Sequence, residues 1–182
     1  MQQQILDTAL QLGNKYGWEQ LNLFQLADCL NITLADIQQY YPQKDALTDA
    51  WFDRADRAML QLNTAGVERK CQRLELAIRS WLQALSPYRQ LSKQMLMYKL
   101  EPGHFHLQGA ALLRISRTVQ WQREIARLEA RGLSRIAQEL ALSALFVAVF
   151  VCWLHDNSED QRCSLTLLHN KLACADALNL WR

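Results

Sequence analysis

Gln38, Gln39 and Lys44 are the residues of this chain whose types and spacing most directly suggest chemistry. A glutamine amide places a donor beside an acceptor and pairs bidentately with adenine N6 and N7. A lysine at the start of a helix adds its charge to the helix dipole and meets phosphate. The same two glutamines can also be read as solvated residues on an exposed helix face. His104-Phe105-His106 invites a metal, but two histidines alone are too few ligands, and a surface loop after Pro102-Gly103 is the expected setting. The five cysteines, Cys29, Cys71, Cys152, Cys163 and Cys174, form no CxxC pair. Their odd number suits reduced thiols in a cytoplasmic protein, and they are expected as small core residues. Arg114, Arg117, Arg123, Arg127, Arg131 and Arg135 form a basic series. Positions 123, 127 and 131 fall on one helical face, with Glu124 available to Arg127; a solvated face or a site for an acidic partner both fit. No nucleophile–base pair, phosphate loop or paired-carboxylate motif is present, so neither an enzyme nor a cofactor nor a metal is expected.

The elements that must position these residues are helices. Half of the 182 residues are apolar and only six are glycine and three proline. Segments 2–16, 43–65, 105–130 and 133–155 carry helical patterning, and nothing alternates with period two for long enough to make a sheet. The fold class is therefore all-α. Ile5, Leu6, Ala9, Leu10, Leu12 and Tyr16 make the apolar face of a first helix, which Gly17 ends. Asn22 can cap a second helix with Gln25 three residues on, and Leu23, Leu26, Ala27 and Leu30 give its apolar face. Asn31-Ile32-Thr33 forms a tight turn with Ile32 as an apolar plug, and Thr33 caps a third helix that Pro42 stops. Three short helices so spaced make a helix-turn-helix head over 1–48, followed by a larger helical body over 49–182.

In the body, breaks at Pro87, Pro102-Gly103 and Gly132 divide helices over 67–85, 88–100 and 104–130 from one another and from the next. Trp81, Met95, Met97, Tyr98, Phe105 and Trp121 are large apolar groups that either line a small-molecule pocket or fill an ordinary core. The uncharged run 140–154 is apolar on every side, which calls for burial all round, as in a helix buried in a subunit interface. At 15 residues it falls short of the roughly 20 that span a bilayer, so no membrane span is expected. A last helix follows Ser158-x-x-Gln161, with Leu165, Leu168, Leu172, Ala175 and Leu178 along its stripe. The N-terminus has neither the basic flank nor the apolar run of a signal peptide.

Charge runs against this layout. Residues 1–56 hold three bases and eight acids, a net −5, so the rest of the chain carries +7 of the overall +2. The would-be recognition helix, Leu34-Ala35-Asp36-Ile37-Gln38-Gln39-Tyr40, has no Lys or Arg. Phosphate contacts supply most of the affinity for DNA, and a DNA-binding head is expected to be the basic end.

Ile5-Leu6-Asp7-x-Ala9-Leu10, Gly17, Leu26-Ala27-x-x-Leu30-Asn31-Ile32-Thr33 and Tyr40-Tyr41-Pro42-Gln43-Lys44-Asp45-Ala46-Leu47, in this order and spacing, resemble the head of the TetR family over about residues 4 to 52. The resemblance implies DNA binding through Thr33, Leu34, Gln38, Gln39, Tyr40 and Lys44. Lys44 matches the family's phosphate-contacting lysine, whereas Gln38 stands where the family usually has a phosphate-contacting tyrosine. It further implies an apolar effector cavity near Trp81, Met97, Tyr98 and Trp121. A homodimer is implied too, built as a four-helix bundle on Ala144, Ala148, Leu165, Leu168 and Leu172. The run Trp153-Leu-His-Asp156-x-Ser158-x-Asp160 resembles a C-terminal pattern of some TetR-type regulators. A similar pattern occurs in the TetR-fold lipid-binding proteins of coenzyme Q biosynthesis, which do not bind DNA and extend into an amphipathic membrane helix. This chain stops at Trp181-Arg182, which speaks for the first of the two. The expected function is a homodimeric transcriptional regulator whose DNA binding answers to a small apolar ligand. The alternative is a protein of the same fold that has lost DNA binding and holds a lipid-like ligand or a partner protein.

Overall fold

The computed structural model describes residues 1–100 and 105–181, with side chains for all of these except 100, 105–108 and 110. Nine α-helices follow one another among the described residues: α1 Gln2–Tyr16, α2 Leu23–Leu30, α3 Leu34–Tyr40, α4 Lys44–Leu60, α5 Lys70–Leu85, α6 Arg89–Leu100, α7 Phe105–Ala126, α8 Gly132–His155 and α9 Arg162–Ala177. The all-α class expected from patterning is the class observed. The His104–His106 pair and the side chain of Phe105 lie outside the described residues.

The head assembles as its caps dictate. α1 buries Ile5, Leu6, Ala9 and Leu10, and Gly17 ends it at φ 93 with its N–H on the Gly13 carbonyl. Gly13 itself is required for close packing: a Cβ there would sit 3.1 Å from Leu91 of α6 and 3.3 Å from Trp18. Gln25 Oε1 accepts the Asn22 N–H at 3.3 Å to open α2. Asn31, in the left-handed region at φ 52, closes α2. Thr33 and Asp36 form a reciprocal cap on α3. Thr33 Oγ1 accepts the Asp36 N–H at 3.2 Å, and Asp36 Oδ2 accepts the Thr33 N–H at 2.8 Å.

α4 runs from the head into the body without a break, so one rigid rod carries both. Its Phe52 stacks on Trp81 of α5 at 6.0 Å between ring centroids. Trp81 in turn meets Phe146 and Phe150 of α8 edge-on at 4.9 and 5.1 Å. This aromatic knot ties α4, α5 and α8 into one core.

Packing bears on three expectations. In the single protomer α8 buries one side, with Leu142, Phe146, Val149, Phe150, Trp153 and Leu154 facing the core, which leaves the other side for the expected subunit interface. Leu133, Ile136, Leu140, Val147 and Val151 on its other side are exposed. The helix has 24 residues, and its most apolar window, of mean hydropathy 2.0, has the length and composition to cross a membrane, which 140–154 alone lacked. Only 33% of that window is buried. Second, the row Arg123–Arg127–Arg131 does not form. Arg127 turns left-handed at φ 55 and stops α7 early, and the Leu128 N–H reaches back to the Arg123 carbonyl. Third, only Cys71 is buried; Cys152 is half-buried, while Cys29, Cys163 and Cys174 are exposed.

The Trp153–Asp156–Ser158 pattern is explained by the turn between α8 and α9. Asp156 Oδ1 accepts the Ser158 N–H and hydroxyl, and its Oδ2 accepts the Ser164 N–H at 2.7 Å. Arg89 of α6 donates to the Asp156 carbonyl, and the Trp153 indole donates to Gln161. Burial would raise the Asp156 pKa, but the bonds from Ser158 and Ser164 outweigh it and hold the carboxyl well below the usual carboxylate range. A carboxyl depressed in the folded state stabilises fully above its unfolded pKa of about 4, and loses that contribution as pH falls. Asp156→Ala is therefore expected to lower the unfolding free energy by about 2 kcal/mol at neutral pH. In urea titrations the gap to the parent protein should narrow as the pH drops below about 4; a gap that stays constant would refute the role of the charge.

Candidate nucleic-acid interface

α3 lies on the surface and holds to the head by one fully buried residue, Ile37, with Ile32 half-buried beneath its preceding turn. Thr33, Leu34, Ala35, Gln38, Gln39 and Tyr40 are all exposed. Leu34 keeps 53% of its surface open to solvent, a large value for a leucine at the start of a helix. The structure thus leaves five of the six expected DNA-contacting residues exposed on or just before α3.

Lys44 stands apart from them. Its ammonium donates to the Glu19 carbonyl at 3.2 Å. It also lies 5.2 Å from the Trp18 ring and 5.8 Å from that of Tyr98. Burial lowers its pKa, with Glu19 opposing. A lysine so held braces the junction of head and body, and it must leave this seat to reach a phosphate.

The acidic charge of the first 56 residues has a definite address. Asp45, Asp49, Asp53 and Asp56 lie at helical spacing along α4 and meet cations of the body. Lys99 of α6, itself 2% exposed, donates to Asp45 at 2.9 Å and to Asp49 at 2.8 Å. Arg114 of α7 bridges Asp53 at 2.8 Å and Asp56 at 3.1 Å, and Arg117 adds a second bond to Asp53. Asp56 also accepts the Trp81 indole N–H at 2.8 Å and the Thr118 hydroxyl at 2.9 Å. Asp7 of α1 is paired with Arg54 at 2.7 Å. Five of the eight acids are therefore compensated at the seam or within the head, away from α3. Asp36 is engaged in the α3 cap, where bonds from Thr33 lower its pKa. The basic series of the body is largely absorbed in the same way, since Arg123 and Arg135 both pair with Glu139. The acidic row at 45, 49, 53 and 56 was visible in the sequence and marked a face that needed cations. Which cations met it depended on how α6 and α7 pack.

The four residues expected around an effector are not gathered in one cavity. Trp81 is 3% exposed at the centre of the aromatic knot, whereas Trp121 is 45% exposed on α7. Tyr98 is half-buried against Lys44. Met97 borders an open groove of about 470 Å³ at the head–body junction, with Trp18, Gln20, Gln90, Lys93 and Gln94. Gln94 Oε1 accepts the Trp18 backbone N–H at 2.7 Å across that junction. Of the expected interface residues, Ala144 and Ala148 are exposed on α8 and Leu165 is half-buried. Leu168 and Leu172 are fully buried within the protomer and cannot touch a partner, a correction that follows from α9 turning its leucine stripe inward. Ala144 and Ala148 instead border a groove of about 320 Å³ with Ala141, Leu145, Ala175 and Trp181.

No family model matches the chain, and no curated protein matches it by sequence. Among solved structures, it is similar to a TetR transcriptional regulator from Nitrosomonas europaea ATCC 19718, with 36% identity and a TM-score of 0.85. That match covers 97% of this chain and 98% of the other. A TetR transcriptional regulator from Rhodococcus sp. RHA1 shares the fold at a TM-score of 0.70 and 15% identity, covering 94% of this chain and 92% of that one.

The seam makes its own prediction. Lys99→Met leaves Asp45, only 7% exposed, as an uncompensated buried charge and should cost about 3–5 kcal/mol in denaturant titrations. Adding Asp45→Asn to that variant should restore most of the loss. If the double variant is as unstable as the single one, the ion pair is not what joins α4 to α6.

Proposed function

The chain belongs to the TetR family of transcriptional regulators, and from that premise we propose that it binds DNA as a homodimer through α3 and responds to a small apolar ligand. One observation carries this reading. α3 presents Thr33, Leu34, Gln38, Gln39 and Tyr40 outward, while the acids of α4 are neutralised by the body instead of facing the same way. The head's −5 is a property of its seam more than of its DNA-facing edge. Lys44 contributes to phosphate binding once it swings off Trp18.

The homodimer is supported by the outer face of α8. Leu133, Ile136, Leu140, Ala144, Val147, Ala148 and Val151 recur every three or four residues and form an exposed apolar stripe along the whole helix. Two copies crossing there bury the stripe and set two heads at the spacing of two half-sites. For the effector, the groove beside Met97 is the proposed point of entry. A ligand seated there would press on the Trp18–Gln94 bond and on the Lys44 seat, and so on the angle between head and body.

A second reading, a protein of this fold that binds an apolar ligand or a partner protein and no DNA, draws on two observations. α3 has no cation, and Lys44 is turned inward. Mobility shifts at low salt separate the two. On the DNA reading, duplex binding is weak and its log-log salt slope shallow, because each phosphate neutralised adds only about 0.9. Absence of any shift at the lowest salt, with a folded dimer, would leave only the second reading. For the dimer, light scattering at micromolar concentration should give twice the chain mass. Ala148→Glu should halve it with little change in helix content, since Ala148 is exposed in the single protomer.

A further inference from the structure

We propose that the edge of α3 reads A·T pairs, with Gln38 and Gln39 pairing adenine N6 and N7 and Leu34 packing on a thymine methyl. The inference rests on the DNA-binding reading above and goes beyond it by naming the class of sequence recognised. Leu34 and Gln38 are four residues apart, as are Ala35 and Gln39, so they form two adjacent exposed rows: Ala35 and Gln39 lie opposite buried Ile37, and Leu34 and Gln38 lie beside them. The major groove distinguishes base pairs by donors, acceptors and the thymine methyl. Guanine is read by Arg or Lys at O6 and N7, and α3 has neither. Lys44, the nearest cation in sequence, is held on Glu19, Trp18 and Tyr98.

Cytosine is read through its N4 amino group by a carboxylate. The one carboxylate on α3, Asp36, is held in the cap. Its Oδ2 takes both the N–H of Thr33 at 2.8 Å and its hydroxyl at 2.6 Å. The Thr33 hydroxyl is thereby engaged as a donor as well. Apart from Tyr40 at the last position of the helix, what remains at the surface of α3 is two amides and two apolar side chains. Amides suit adenine, and the exposed leucine and alanine suit the thymine methyl, which only A·T pairs carry into the major groove.

The test uses the full chain and a library of random duplexes, selected at low salt and sequenced. Selected half-sites should carry A·T pairs at two or more adjacent positions. Replacing adenine there by 7-deazaadenine, which removes N7 and leaves pairing intact, should weaken binding roughly 5- to 150-fold. Replacing thymine by uracil at the Leu34 position should weaken it about fourfold through loss of one buried methyl. Gln39→Ala, with its fold checked by circular dichroism, should become indifferent to 7-deazaadenine at its own base. The base-modified duplexes need no altered protein, so the test stands even if that variant fails to fold. Half-sites dominated by G·C, or indifference to 7-deazaadenine throughout, would overturn this assignment and leave DNA binding intact. Failure to bind any duplex would overturn both.

Discussion

The compensation of the α4 carboxylates by Lys99 and Arg114 is the constraint on which the arrangement of head and body depends. α4 belongs to both units, and its inner face carries four acids that would repel one another along a single helix. Lys99 and Arg114 come from two different body helices and turn that repulsion into attachment. Asp45, Asp56 and Lys99 are all nearly buried, so at these points the seam cannot be relaxed by water. Losing one partner there would leave a desolvated charge, which fixes the seam far more firmly than a surface ion pair would. The aromatic knot around Trp81 lies next to this network and is joined to it by the indole bond to Asp56. Polar and apolar contributions thus hold the same helix at the same place.

The same arrangement recasts the charge of the head. Net charge over a stretch of sequence treats all its residues as if they faced one partner, whereas here the acids and the outer edge of α3 point to different neighbours. What the head lacks is cations; of its acids, Asp36 alone lies on α3, where the cap with Thr33 engages it. Affinity drawn from so few phosphate contacts depends on two heads acting together and on base contacts. On the proposed homodimer, that places unusual weight on α8, whose outer stripe would hold two heads in register.

Most of the fold was legible in the sequence because its signals are local. The Thr33 cap of α3, the Asn22–Gln25 box of α2 and the glycine after α1 each act within a few residues, and each is found where expected. Signals that depend on packing misled. Leu168 and Leu172 have the same spacing whether a leucine stripe faces its own core or a second subunit, and they face the core. The run 140–154 is uniform in sequence, and only packing shows that Trp153, Phe150 and Phe146 take its inner side within the protomer. Trp81 and Trp121 are alike in composition yet lie in core and solvent respectively. Lys44 shows the same limit at a single residue: its place at the start of α4 was readable, but its seat on Trp18 and the Glu19 carbonyl was not.

On the proposed function, recognition and regulation would share Lys44. Its ammonium is desolvated at a junction made by the α1–α2 turn, the first turn of α4 and Tyr98 of α6. Moving it to a phosphate exposes the Trp18 face and removes one of the contacts that set the head against α6. The other, from Gln94 to the Trp18 backbone, borders the groove that holds Met97. A ligand in that groove and a phosphate at Lys44 would therefore act on one indole from two sides. Coupling between them needs no long path through the body, only a difference in how each leaves Trp18 seated.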